Sequence, residues 1–197
     1  AGHGQHAIND FSEAVNVAKA LVGQGQASAV PELARALHRR ADVLKSLGRA
    51  QDALADLQGC IGFRSQLAQQ SQEPELLGNL GKAFLAQGTI LMQAGHVPQA
   101  AQSLDQANAI FTNLVEGQGL REFSSELAQG LIQRVSLSSD KSDPALRQVL
   151  IKAVDLVNSQ AKEGRPIAKE FTIECLRTVV ELLQREDFET VGHLIDS

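Results

Sequence analysis

The stretch LGRAQDALADL runs from Leu47 to Leu57, and AGHVPQAAQSL runs from Ala94 to Leu104. Few letters agree, yet Gly48, Ala53 and Leu57 return as Gly95, Ala100 and Leu104, each 47 positions on. Glycine suits the left-handed residue that closes a helix, where other side chains are strained. A small residue five places later, with a bulky one four beyond it, suits a second helix crossing closely over the first. Working outward, Ala41 and Gly88 are the matching small residues in the first helix of each pair. Leu44 with Leu57, and Leu91 with Leu104, then fill the space between, while Cys60 and Ala107 keep the next contact small. The spacing predicts a helix–turn–helix unit, present twice.

The rest of the chain reads the same way. Pro31, Pro74, Pro98, Pro144 and Pro166 each precede a run with helical apolar spacing. Proline is favoured in a first helical turn, where its missing N–H would have no partner anyway. Asp143 before Pro144 has the type expected of an N-cap, and Ser71 lies near the start marked by Pro74. Apolar residues recurring at three and four predict helices over about 8–22, 30–47, 50–69, 74–95, 97–116, 120–136, 144–162, 166–185 and 187–196. Nothing alternates at period two long enough to predict a strand. Short polar links make neighbouring helices antiparallel, so the fold class is all-α.

Repetition extends beyond the opening pair. LVGQGQ at Leu21–Gln26 returns as LVEGQG at Leu114–Gly119, and NDFSEAV at Asn9–Val15 as EDFETV at Glu186–Val191. Taking Ala14, Ala53, Ala100, Leu146 and Val191 as equivalent gives steps of 39, 47, 46 and 45 residues. Self-similarity at this period is the mark of a solenoid of stacked helix pairs.

Composition narrows the function classes. Hydrophobic residues make up 43% and charged residues 21%, ordinary for a globular protein, with neither Trp nor Tyr. A net charge of −5 argues against a general nucleic-acid binder. No apolar run is long enough for a membrane span, and no signal peptide is read at the N-terminus. Cys60 and Cys175 lie far apart without a metal-ligand neighbour, which points to structural thiols, a reducing compartment and a cytoplasmic location.

Residues Leu37, Ala41, Leu44, Gly48, Ala53, Leu57 and Cys60 resemble seven of the eight main positions of the tetratricopeptide repeat (TPR), and Phe84, Gly88, Leu91, Gly95, Ala100, Leu104 and Ala107 resemble them again. The departures are Arg40 and Gln87, polar where the family prefers Leu, and Leu or Phe at the family's aromatic positions. The long period is similar to the extended repeats of kinesin light chains and bacterial signalling proteins. The resemblance implies a TPR-like α-α superhelix over 1–197: a half-repeat at 8–22, then repeats at about 30–69, 74–116, 120–162 and 166–196. Half-repeats at both ends suggest a segment of a longer protein. It also implies a non-catalytic scaffold that binds a protein or peptide on a concave face, without cofactor or metal. A peptide-sensing regulatory domain and an accessory domain of a larger signalling enzyme are the alternatives.

Carrying over the family's groove positions gives Arg35, His38, Arg39, Asp42 and Lys45 from one repeat and Lys82, Leu85, Thr89 and Met92 from the next. The first set is locally basic within an acidic chain, so an acidic segment of the partner is expected near Arg35 and Arg39, with an apolar part near Leu85 and Met92. Chaperone-binding members hold a terminal carboxylate with Lys–Asn pairs; here those positions read His38–Asp42 and Leu85–Thr89, so that clamp is incomplete. Self-association is expected through unpaired end helices, at Val15, Val17, Ala18 and Leu21 and at Leu194 and Ile195.

The remaining candidates read as ordinary surface. His3 and His6 fall in a Gly-rich start, AGHGQH, expected to be a disordered tail, not a metal site with His38 or His96. Glu170 with Glu174, and Glu181 with Arg185, are helix-face pairs. GQGQ and EGQG follow no strand and lack the Lys and Ser/Thr of a phosphate loop. Ser138, Ser139 and Ser142 beside Asp140 have no His in register, and no nucleophile–base arrangement is found.

Overall fold

The computed structural model of the protein describes residues 2–139 and 143–162. Seven α-helices occur among them: α1 (Gly2–Gly23), α2 (Val30–Ser46), α3 (Ala50–Gln70), α4 (Pro74–Gln93), α5 (Val97–Thr112), α6 (Ser124–Ser136) and α7 (Pro144–Lys162). No strand occurs among the described residues. Pro31, Pro74, Pro98 and Pro144 all fall in first helical turns, as their missing N–H groups favour. The expected helices 166–185 and 187–196, with Pro166, Cys175, Val191, His193, Leu194 and Ile195, lie outside the described residues.

Helix ends follow local chemistry. Gly48 has φ +74° and Gly95 has φ +78°. In each turn the glycine N–H bonds back three residues and the next N–H bonds back five: Arg49 to the Leu44 carbonyl and His96 to the Leu91 carbonyl, both at 2.9 Å. This double closure is the Schellman arrangement that only a left-handed residue permits without strain. Asp143 caps α7 as expected, its Oδ1 accepting from the Ala145 N–H at 2.9 Å. Ser71 does not start α4; it ends α3, whose Ala68 carbonyl accepts from the Gln72 side chain at 2.7 Å.

The chain forms two compact units, Ala1–Ser103 and Leu104–Ser197, the boundary falling within α5. In the first, α1 packs on α2, α2 on α3 and α3 on α4. Its core has two clusters. One joins Val15 and Ala18 of α1 to Leu33, Ala34 and Leu37 of α2, Cys60 of α3 and Ala83 of α4. The other joins Ile8, Ala41, Leu44, Ala53, Leu57 and Ile90. Ala41, Ala53 and Leu57 are buried together where the opening pattern required the helices to approach.

Three expectations for α1 are corrected here. The Gly-rich start is helical from Gly2, because Ile8 anchors the preceding turns in the second cluster and Gly4 lies against the Leu47 side chain. Ala14, equated with Ala53 and Ala100, is exposed while those two are fully buried. The residues of α1 that enter the core are Ile8, Val15 and Ala18, so Val15 and Ala18 are not open for self-association.

In the second unit α6 packs on α7. Leu150 and Ala153 are fully buried, as are Leu104 and Ala107 lying 46 positions earlier, the step expected from the sequence. Phe111 and Phe123 stack with centroids 6.1 Å apart. Between them, α5 loosens into a π turn at Asn113–Gly117, and its closing bond spans six residues, from the Leu120 N–H to the Leu114 carbonyl at 2.9 Å. Arg134–Asp105 and Lys152–Glu116 ion pairs, 2.8 and 2.6 Å, lie on its surface.

Candidate functional site

The expected groove positions belong to α2 and α4, and the structure divides them into three sets. Arg35 pairs with Glu32 one turn before it on the exposed face of α2. With Arg39 it lines a groove of about 860 Å³ between α1 and α2, floored by Phe11, Ala14, Val17 and Leu21. Leu85 and Thr89 are buried, and the Thr89 hydroxyl donates to the Leu85 carbonyl at 2.8 Å. These two therefore serve packing more than contact, while Met92 is half-buried.

His38 gathers the third set. Its ring is half-buried on α2 and meets Arg64 of α3, whose Nη1 lies 3.0 Å from His38 Nδ1. The same Nη1 donates to the backbone carbonyl of Asn79 on α4. Arginine has only donors, so Nδ1 accepts and the imidazole proton resides on Nε2, which faces Asp42 Oδ1 at 3.9 Å. Burial, and then the positive charges of Arg64, Arg39, Lys82 and Lys45, depress the His38 pKa to about 4. The imidazole is thus neutral at physiological pH. Asp42 also touches Arg39, at 4.0 Å. Burial raises the Asp42 pKa, against the pull of Lys45, Arg39 and Arg64.

Four cations from three helices therefore act on the His38 ring, and three of them, Lys45, Arg39 and Arg64, also act on Asp42. Arg64 is among them, and sequence reasoning passed over it. A signal was present. Position 64 lies on the same stripe as Leu57, Cys60 and Ala68, and 47 residues later the chain has Phe111, fully buried. Burial lowers the Arg64 pKa, and the guanidinium has no carboxylate partner among the described residues.

His38 is held as an acceptor, and the Cys60 thiol is fully buried with its pKa pushed up by burial to about 11. No group of three or more His, Cys, Asp or Glu among the described residues could hold a metal ion. No described helix is long and apolar enough to cross a membrane.

No family model and no curated protein sequence matches this chain. Among solved structures, the kinesin light chain nearly identical TPR-like repeats of Podosopora anserina are similar to it, with a TM-score of 0.51 and 17% identity, over 96% of this chain and 95% of that one. The fold is a TPR-like helical repeat. Within this TPR-like repeat, α2–α3 and α4–α5 are the two pairs closed by Gly48 and Gly95, and α2 and α4 are the first helices of those pairs. The cation cluster thus falls on first-helix positions, with one contribution, Arg64, reaching through from a second helix.

Proposed function

We propose that this TPR-like repeat is a non-catalytic scaffold that binds an acidic segment of a partner protein or peptide over the face shared by α2 and α4. The observation that supports this reading is the gathering of positive charge around His38, from Arg39, Lys45 and Arg64 beside Asp42 and from Lys82 of α4, in a chain of net charge −5. Such a gathering orients an acidic partner and speeds its approach. Stacked helices hold the surface ready, so little ordering cost opposes binding. Arg35 and the apolar residue Met92 flank this face in the proposal; Leu85 and Thr89 lie beneath it. The test is affinity capture with the purified chain beside an Arg39→Glu, Lys82→Glu variant. Loss of specific prey from the variant is the expected result, and equal recovery by both forms overturns the reading.

A second reading rests on the groove between α1 and α2. Val17 is 55% exposed, and with Phe11 and Leu21 it forms an apolar strip along that groove. We propose this strip as a self-association surface. Val17→Glu should then lower the mass measured by light scattering at high concentration; a wild-type chain that stays monomeric throughout overturns it.

A further inference from the structure

Arg64 occupies a place where the next repeat has a buried phenyl ring, Phe111. Putting a guanidinium there costs desolvation that a carboxylate would normally offset. Within the described residues its hydrogen bonds come from Nη1 alone, to the His38 ring and the Asn79 carbonyl. Both partners are neutral. They fix the plane of the guanidinium without cancelling its charge, and they leave Nε and Nη2 with no partner among the described residues. Those two N–H groups form the fork that grips an oxyanion bidentately. Arg39 and Lys45 add charge close by, and Asp42 offsets one unit.

We infer that Arg64 is the anchoring cation of this face, and that it receives a doubly charged oxyanionic group of the partner peptide, either a phosphorylated side chain or two adjacent carboxylates. The inference rests on the α2–α4 binding face proposed above and deepens it. A single carboxylate would leave the surplus of positive charge only partly answered, whereas a dianion balances most of it. His38 acts as a positioning residue, its neutral Nδ1 holding Nη1 so that the opposite edge of the guanidinium stays available.

The test follows arginine Nε–Hε resonances by NMR during titration with three capped peptides: one bearing phosphoserine, its unphosphorylated counterpart, and hexaglutamate. Saturable movement of the Arg64 signal, with Arg49 unmoved in its pair with Asp52, is the expected result for at least one dianionic probe. Movement with phosphoserine alone identifies a phosphoryl group, and movement with hexaglutamate alone identifies paired carboxylates. Arg64→Met should weaken that probe tenfold or more while leaving the thermal midpoint unchanged or raised, because an apolar side chain suits the site; Arg64→Lys, lacking the fork, should not restore binding. A silent Arg64 resonance, or equal drift of every arginine, overturns the inference. If Arg39→Glu, Lys82→Glu abolishes binding but Arg64→Met does not, the binding face stands and the role of Arg64 falls. If neither variant matters, both fall.

Discussion

Arg40 of α2 grips Asp56 of α3 through two hydrogen bonds, Nε to Oδ2 at 2.6 Å and Nη2 to Oδ1 at 2.7 Å. Both positions recur 47 residues later as Gln87 and Ser103, and there the Ser103 hydroxyl donates to Gln87 Oε1 at 2.9 Å. The polar departure from the family's leucine at 40 and 87 is therefore one device used twice: a bond between the two helices of a pair, ionic in one repeat and neutral in the next. Arg40 Nη1 also reaches the Ser12 hydroxyl of α1 at 3.3 Å, so the ionic version ties three helices.

Removing half of this ion pair should be costly and replacing both halves should not. The side chains of Arg40 and Asp56 are only 20% and 10% exposed. Asp56→Ala is expected to destabilise by about 3 kcal/mol, since it leaves a mostly buried guanidinium uncompensated. The double change Arg40→Gln, Asp56→Ser copies the neutral pair of the next repeat and should cost about 1.5 kcal/mol or less, a hydrogen bond replacing a charge pair whose desolvation is also removed. Urea denaturation of the two singles and the double gives the coupling directly. Additive losses would show that the two side chains act independently.

Glycine-to-alanine changes should differ in sign with backbone conformation. At Gly48 and Gly95 a Cβ meets nothing within 4 Å, so only the positive φ resists it. Each change should cost about 1–2 kcal/mol. Gly62 lies inside α3, also with open space around its Cβ, at an ordinary helical φ. Gly62→Ala should stabilise by about 0.5–1 kcal/mol. Thermal melts of the three variants separate turn strain from helix propensity.

These contrasts explain what was legible. Gly48, Gly95, Ala41, Ala53, Leu57 and the four prolines act through neighbours within one turn or one hairpin, so their spacing survives in the letters. The start of α1 was missed because Gly2, Gly4 and the polar residues beside them carry no helical signal of their own; burial of Ile8 beside Ala41 and Leu44 supplies it. The repeat spacing aligns Ala14 with Ala53 and Ala100, but the core receives Ile8, Val15 and Ala18, a stripe with a different phase. The site suffered in the same way. Arg39, Lys45 and Lys82 could be assigned by position, whereas Arg64 needs three helices in place before His38 and Asn79 become its partners.

Cys60 should behave as core, not as a reactive thiol. It is fully buried, and burial raises its pKa to about 11, far from the thiolate needed for attack. In a Cys175→Ser background, native protein should react with a disulfide reagent only at the rate of unfolding, and all thiol should titrate at once in denaturant. Fast native labelling would place the α2–α3 core in a more open state than the one described.

The neutral imidazole at the centre of the cation cluster makes stability depend on pH in a stated direction. The His38 pKa falls from 6.5 in the unfolded reference to about 4 in the fold, through burial first and then Arg64, Arg39, Lys82 and Lys45; Asp42 is the one acidic group facing it from the same helix. Above pH 6.5 both states carry a neutral ring and no penalty arises. Between 6.5 and 4 the unfolded chain takes up a proton that the folded chain refuses, so stability is lost as pH falls, at up to about 1.4 kcal/mol per pH unit. Below 4 both states are protonated and the loss stops growing. His38→Gln keeps an acceptor for Arg64 and removes the titration. Urea denaturation of both proteins between pH 7 and 5.5, above the range where most carboxylates titrate, should show a steeper decline for wild type than for the variant. Parallel curves would mean that the ring at position 38 is not shielded as described, and the acceptor role assigned to it beside Arg64 would fall with that result.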